Sequence, residues 1–320
     1  MYNHKNFNLS CKGLQGGKMK KILIIGSLNM DLVTMSQRHP KLGETIIGKS
    51  FFQIPGGKGG NQAVAIAKLG GDVTMFGCVG KDSYGDALIE GLKNNNVNIE
   101  FIKKGEKNTG IASIVVDENA DNTIIVVPGA NFEITIEDID KNIDLIKDAD
   151  IVLLQLEIPI DVVKYILEKS KEYNKVTMLN PAPAKKLSVD IIKNIDYLVP
   201  NETELELLSK MPTDSEEEVL AASKKLMGMG VKNLIVTMGK NGSIFVGEDK
   251  VVKVGIHRVK AVDPTAAGDS FIGGIIRMMA EGKKIEEAME FGARVGAITV
   301  TKKGAQSSLP TWDEVINYKF

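Results

Sequence analysis

Three short polar clusters in this 320-residue chain combine residue types that bind oxygen-rich molecules and move protons. The last, Asp263-Pro264-Thr265-Ala266-Ala267-Gly268-Asp269-Ser270-Phe271, runs into a small-residue stretch with Gly273 and Gly274. Small residues at a helix start expose consecutive backbone N–H groups that can cradle the charge on a phosphoryl group in transfer. Asp269, in that first turn, either complements the helix dipole or takes a proton from a substrate hydroxyl. The middle cluster, Pro55-Gly56-Gly57-Lys58-Gly59-Gly60-Asn61-Gln62, leads directly into the helical Ala63-Val64-Ala65-Ile66-Ala67-Lys68. Its glycines let the backbone approach a ligand at a helix N-terminus, although a structural turn accounts for them equally. It is not a Walker A loop, because Lys58 is followed by Gly59, and Gln62 breaks a GxGxxG pattern. The first cluster, Gly26-Ser27-Leu28-Asn29-Met30-Asp31, sets an amide and a carboxylate two residues apart, suited to several hydroxyls or to an Asx turn or cap.

Short β-branched runs separated by amphipathic stretches of helical length must position these clusters, a pattern that signals βαβ units and a parallel sheet. Strands are expected at 22–26, 73–78, 151–156, 176–180, 197–200 and 234–237. Helices are expected at 60–68, 86–94, 160–171, 202–209, 216–229 and 269–281. In open α/β sheets ligands bind beyond the carboxyl ends of the strands, where the polar clusters fall. Two strand-rich stretches, about 31–52 and 109–127, interrupt the rhythm and are assigned to a small β-sheet lid. Within the second, 111–116 and 123–127 flank the turn-rich 117–122 as a hairpin. The expected fold is thus α/β, Rossmann-like, a mostly parallel central sheet with helices on both faces plus the lid, one domain over 19–320.

Composition sets limits. With 40 Lys plus Arg against 41 Asp plus Glu, the net charge of -1 gives no basic field for nucleic acid or anionic lipid. Apolar runs such as 151–154 are far too short to cross a bilayer. Cys11 and Cys78 have neither a disulfide framework nor zinc spacing, which suggests a reduced, cytoplasmic chain, with Cys78 a buried small hydrophobe. His4, His39 and His257 show no triad or metal spacing. Residues 1–18 are polar and lack a signal-peptide core; they read either as a disordered tail or as translated upstream sequence with Met19 the true start.

Taken in order, Gly26-Ser27-x-Asn29-x-Asp31, Gly56-Gly57-Lys58-Gly59-x-Asn61-Gln62-Ala63, Asn180-Pro181-Ala182-Pro183, Asn201-Glu202-x-Glu204, Thr237-x-Gly239, the Asp263 to Asp269 run and Lys303-Gly304-Ala305-Gln306 resemble the ribokinase-type branch of the pfkB sugar-kinase family. The resemblance extends over about 20–309. It implies ATP-dependent phosphorylation of D-ribose at O5 to give ribose 5-phosphate and ADP, with Mg²⁺ carried by the nucleotide. Carried over residue by residue, it implies sugar binding by Asn29, Asp31, Gly57, Lys58, Asn61 and Glu157. Asp269 would be the base, with the N–H groups of Ala267, Gly268 and Asp269 as the anion hole. Asn201 and Glu204 would lie near the phosphates and the Mg²⁺ water shell, and Thr237, Gly239, Lys240, Asn241 and Gly242 at the nucleotide edge. A monovalent cation, K⁺, would lie at Asp263, Thr265, Thr299, Lys302, Gly304 and Ser308, mostly through carbonyls, provided that the Lys302 side chain points away. A homodimer through the lid is also implied, since paired lids would cover their edges.

The chain departs from the family pattern at Pro264, where Thr is common, and at Ala293, where Asn or His often stands near adenine. Kinases of the same family acting on deoxyribose, a ketohexose or a nucleoside are the neighbouring alternatives. A sugar-binding protein that has lost catalysis is the alternative from another class, which Asp269 and the intact 266–268 run disfavour.

Overall fold

In the computed structural model, which describes residues 19–119 and 121–320, thirteen strands form two sheets. They are β1 (Lys21–Ile25), β2 (Asn29–Met35), β3 (Ser50–Gly56), β4 (Asp72–Val79), β5 (Asn98–Lys104), β6 (Gly110–Val116), β7 (Asn122–Val127), β8 (Ile151–Leu154), β9 (Val176–Leu179), β10 (Tyr197–Leu198), β11 (Asn233–Thr237), β12 (Ser243–Val246) and β13 (Val251–Val254). The expectation for residues 1–18 lies outside the described residues. The large sheet has the order β13-β12-β11-β10-β9-β8-β1-β4-β5 and is parallel from β11 to β5. Its last two strands, β12 and β13, are antiparallel.

The uninterrupted apolar run of β1 follows from burial on both faces. Ile22 and Ile24 enter one core, with the helices Lys58–Lys68, Ser83–Asn94, Ala267–Ala280 and Ile285–Thr299. Leu23 and Ile25 enter the other, with Ile160–Glu172, Glu202–Ser209 and Glu216–Gly228. β8 divides its residues the same way. Because β1 lies between β8 and β4, the strand order reverses there, and Gly26 and Ser27 emerge at the switch point where such sheets bind ligands.

The small sheet has the order β3-β2-β6-β7. β2 and β3 extend to Asn29 and Gly56, joined by a loop without regular structure over 36–49. β6 and β7 are the expected hairpin, and β2 pairs with β6 in parallel. No helix among the described residues is long and apolar enough to cross a membrane.

The structure differs from the sequence expectation at several edges. β5 is half-exposed and mixes polar with apolar residues, which hides it, while β12 and β13 are short. The Ile285–Thr299 helix carries Gly292 and Gly296, residues of poor helix propensity. Close packing requires the first: a Cβ on Gly292 would lie 2.8 Å from the Phe271 carbonyl oxygen of the neighbouring helix. Three helices begin earlier than their apolar patterns indicate, at Lys58, at Ser83 behind an Asp82 cap, and at Ala267.

Candidate active site

At the carboxyl end of β1 the chain crosses from the large sheet into the lid, and Gly57 returns it from the lid to a helix. Gly57 has φ +83°, and a Cβ there would lie 2.7 Å from the Asn29 amide nitrogen. No other residue fits this crossing without displacing β2. The start of the Lys58–Lys68 helix is fastened to Glu157, just beyond β8. The Lys58 N–H donates to Glu157 Oε2 at 3.1 Å, and the Ser27 hydroxyl donates to the same oxygen. The Gly60 N–H donates to the Ser27 carbonyl at 2.9 Å.

This arrangement surrounds one ammonium with carboxylates. Burial lowers the Lys58 pKa, but Asp269, Glu157, Glu204 and Asp31 outweigh it and raise the group above its ordinary value. Asp31 is pushed up to about 7, first by burial and then by Glu157 and Asp269. Asn29 is buried and accepts a hydrogen bond at 2.8 Å from Asn131, whose own carbonyl oxygen accepts from the Leu28 N–H at 2.9 Å.

Facing Lys58 is the start of the Ala267–Ala280 helix. Ala266 takes a left-handed conformation at φ 59°, an uncommon cost for a residue with a Cβ, and so turns the chain abruptly into the helix. The Ala267 N–H donates back to the Pro264 carbonyl at 3.1 Å. The N–H groups of Gly268 and Asp269 meet no acceptor among the described residues. Pro264 closes this turn through its carbonyl, so its missing N–H takes nothing from it. The Asp269 carboxylate, buried, accepts from Asn61 Nδ2 at 3.0 Å and from Gln62 Nε2 at 2.9 Å. Burial raises its pKa, while Lys58 and these two amides favour the ionised form. The Asn61 carbonyl oxygen is buried without a partner, an acceptor available to a ligand.

A cavity of about 250 Å³ opens here, lined by Lys58, Asn201, Glu204, Thr237, Gly268 and Asp269 among others. Asn201 and Glu204 form a capping box: the Glu204 N–H donates to Asn201 Oδ1 at 2.7 Å, and the Asn201 N–H to Glu204 Oε2 at 2.9 Å. Both thus serve a helix terminus and face the cavity. Gly239, Lys240 and Asn241 form an exposed 3₁₀ turn that, with Gly242, joins β11 to β12. Behind the Ala267 turn, the Asp263 carboxylate accepts from the Thr265 and Gly304 N–H groups, each at 2.9 Å, so two loops distant in sequence meet. Thr299 is buried, with its carbonyl accepting from the Lys302 N–H at 3.2 Å, and Ser308 is buried nearby in sequence. The Lys302 ammonium points to Glu314 at 2.5 Å.

Sequence reasoning missed three buried amides: Asn131 behind Asn29, Gln155 behind Gln62, and the contact of Gln62 itself with Asp269. Gln155 carried a signal, a polar residue at the end of the apolar run Ile151-Val152-Leu153-Leu154. Asn180 was noted only as part of a motif; it accepts from Gln62 at 3.3 Å. Cys78 is buried, which pushes its thiol up to about 11.

A buried carboxylate beside free N–H groups at a helix start, at the switch point of a doubly wound sheet, defines a phosphotransferase acting on a hydroxyl compound. Residues 19–312 match the family model described as pfkB family carbohydrate kinase. The deoxyribokinase of Salmonella typhi is 38% identical over 299 residues, covering 93% of this chain and 98% of that protein. The ribokinase of Schizosaccharomyces pombe is 40% identical over 310 residues, covering 93% and 97%. The structure of Arabidopsis thaliana ribokinase complexed with ribose and ATP superposes with a TM-score of 0.88 at 32% identity, covering 94% of this chain and all of that one. The chain belongs to the pfkB family of carbohydrate kinases.

Proposed function

We propose that this kinase transfers the γ-phosphoryl group of ATP to O5 of D-ribose, giving ribose 5-phosphate and ADP. The observation that carries the chemistry is the Asp269 carboxylate held by Asn61 and Gln62 beside the unpaired N–H groups of Gly268 and Asp269. Asp269 takes the proton of the attacking hydroxyl, and these two N–H groups stabilise the charge on the phosphoryl oxygens, whereas the Ala267 N–H expected to join them is engaged by the Pro264 carbonyl. Asn29, Asp31, Gly57, Lys58, Asn61 and Glu157 bind the sugar, whose hydroxyls need both donors and acceptors once water is excluded. Asn201, Glu204, Thr237, Gly239, Lys240, Asn241 and Gly242 form the nucleotide side.

Magnesium bound to the nucleotide supplies charge neutralisation at the phosphates. Asp263, Thr265, Thr299, Lys302, Gly304 and Ser308 would hold K⁺, which would supply fixed positive charge near the helix start. The Lys302 side chain is turned to Glu314, so the ligand from this residue would be its carbonyl. The ribokinase relatives support ribose as the sugar, and the Salmonella deoxyribokinase keeps 2-deoxyribose as the second reading. The protein works in the cytoplasm as a dimer joined through the lid.

The test is Asp269→Asn. Turnover falls by about 10³-fold, within the range for a general base, while calorimetry finds ribose binding within a few-fold of the wild type. Retention of wild-type turnover would remove Asp269 as the base.

A further inference from the structure

Behind Asp269 lies a chain of buried amides that the proposed reaction does not otherwise use. Gln62 Nε2 donates to Asp269 Oδ1 at 2.9 Å and to Asn180 Oδ1 at 3.3 Å, so both its hydrogens are placed. Its Oε1 accepts from Gln155 Nε2 at 2.6 Å. Gln62 and Gln155 are both fully buried. Gln155 Oε1 has no partner, and a Cβ on Gly26 would lie 2.0 Å from it, so the chain has left out a side chain to admit this amide. A buried amide with an unpaired carbonyl lowers stability, and its presence calls for another reason.

We propose that Gln62, oriented by Gln155, is a positioning residue that aims the Asp269 carboxylate and keeps it ionised. The proposal rests on the reading of Asp269 as the base. An amide has one donor and one acceptor end, and the donor end of Gln62 faces the carboxylate only while its oxygen has a donor behind it. Gln155 is that donor. Replacing it with a carboxylate would reverse the polarity: Gln62 would turn its NH₂ backwards and present its oxygen to Asp269. The charged groups facing Asp269 from the surrounding elements are Lys58 at the Lys58–Lys68 helix start, Glu157 beyond β8 and Asp31 on β2. Glu204 faces Lys58 in turn. None of these is altered by changes at Gln62 or Gln155.

The experiment is the pH profile of kcat/KM for D-ribose in Gln62→Met, Gln155→Glu and the uncharged double variant Gln62→Met with Gln155→Met, each checked for cooperative thermal unfolding. The acid limb of both single variants moves up by about one pH unit, as expected for loss of a hydrogen bond to the ionised form. Activity at high pH returns to within a few-fold of the wild type. The double variant shifts no further than Gln62→Met, because Gln155 acts through Gln62. A uniform loss at every pH with the limb in place, or additive shifts in the double variant, would overturn the proposal. If Gln155→Glu does not fold, Gln62→Glu is compared with Gln62→Met, and the carboxylate must move the limb further. Asp269→Asn in parallel separates the two readings: an inactive Asp269→Asn with unmoved limbs defeats only the positioning role, whereas an active one defeats the base assignment itself.

Discussion

Asp31 shows most directly how the proposed sugar site trades stability for binding. An unfolded aspartate titrates near 3.8, and the folded Asp31 near 7. Between these values the unfolded chain gives up its proton first, so this group's contribution to stability falls as pH rises from about 4 to 7 and stays low above it. The full shift sets an upper limit of about 4 kcal/mol, from which solvent screening subtracts. Asp31→Asn therefore raises the melting temperature of the sugar-free protein by a few degrees at pH 8 and by much less at pH 5, while the KM for the sugar rises at least about tenfold. Differential scanning calorimetry at the two pH values checks the first half; equal melting temperatures of variant and wild type at pH 8 would contradict it. Residues such as Asp31, Lys58 and Asp269 were legible in sequence because their motifs are local. Their partners were not: Gln62 and Asp269 are 207 residues apart, and Gln155 and Gln62 are 93 apart. Such pairs come together only through the order of strands in the sheet.

At the scale of elements, the two helix starts at Lys58 and Ala267 form the site, and each begins where the apolar pattern alone is silent. Their first turns, Lys58-Gly59-Gly60-Asn61 and Ala267-Gly268-Asp269-Ser270, carry no large apolar side chain, so periodicity marks the helix bodies and misses the ends to which the proposed chemistry is assigned. The lid strands show the converse. β7 was legible as half of a hairpin, and its cover by a second lid, implied by the resemblance, is a proposal. It is exposed along its whole length, with Ile124 at 53% and Ile125 at 68% of full exposure, and β3 adds Phe51 and Phe52. Exposed apolar edge strands invite pairing with another chain, and a second lid related by two-fold symmetry would satisfy both edges. Sedimentation velocity should find the wild type near twice the monomer mass of 34.7 kDa, and Ile125→Lys shifted toward the monomer. A wild-type monomer at micromolar concentration would contradict the lid dimer.

For the whole molecule, the alternation of strands and helices was enough to place a doubly wound sheet and its ligand crevice. The antiparallel extension β12–β13 and the Ile285–Thr299 helix escaped, the former by shortness and the latter by its two glycines, of which close helix packing demands Gly292. What the fold then contributes is convergence: two helix starts bring Lys58 and Asp269 to a cavity of about 250 Å³, and the charges of Asp31 from the lid and of Glu157 beyond β8 act on both. A site so dense in donors and acceptors discriminates by leaving a polar group unpaired when a hydroxyl is missing, at a cost of about 1–3 kcal/mol, or roughly tenfold to a hundredfold in kcat/KM. The most direct measurement of the account is ADP release with ATP and Mg²⁺ across D-ribose, 2-deoxy-D-ribose, fructose and adenosine, each with and without K⁺. The account predicts at least about tenfold higher kcat/KM for D-ribose than for 2-deoxy-D-ribose and stimulation by K⁺. A preference for 2-deoxy-D-ribose, or no sugar-dependent ADP release from any of the four, would contradict it.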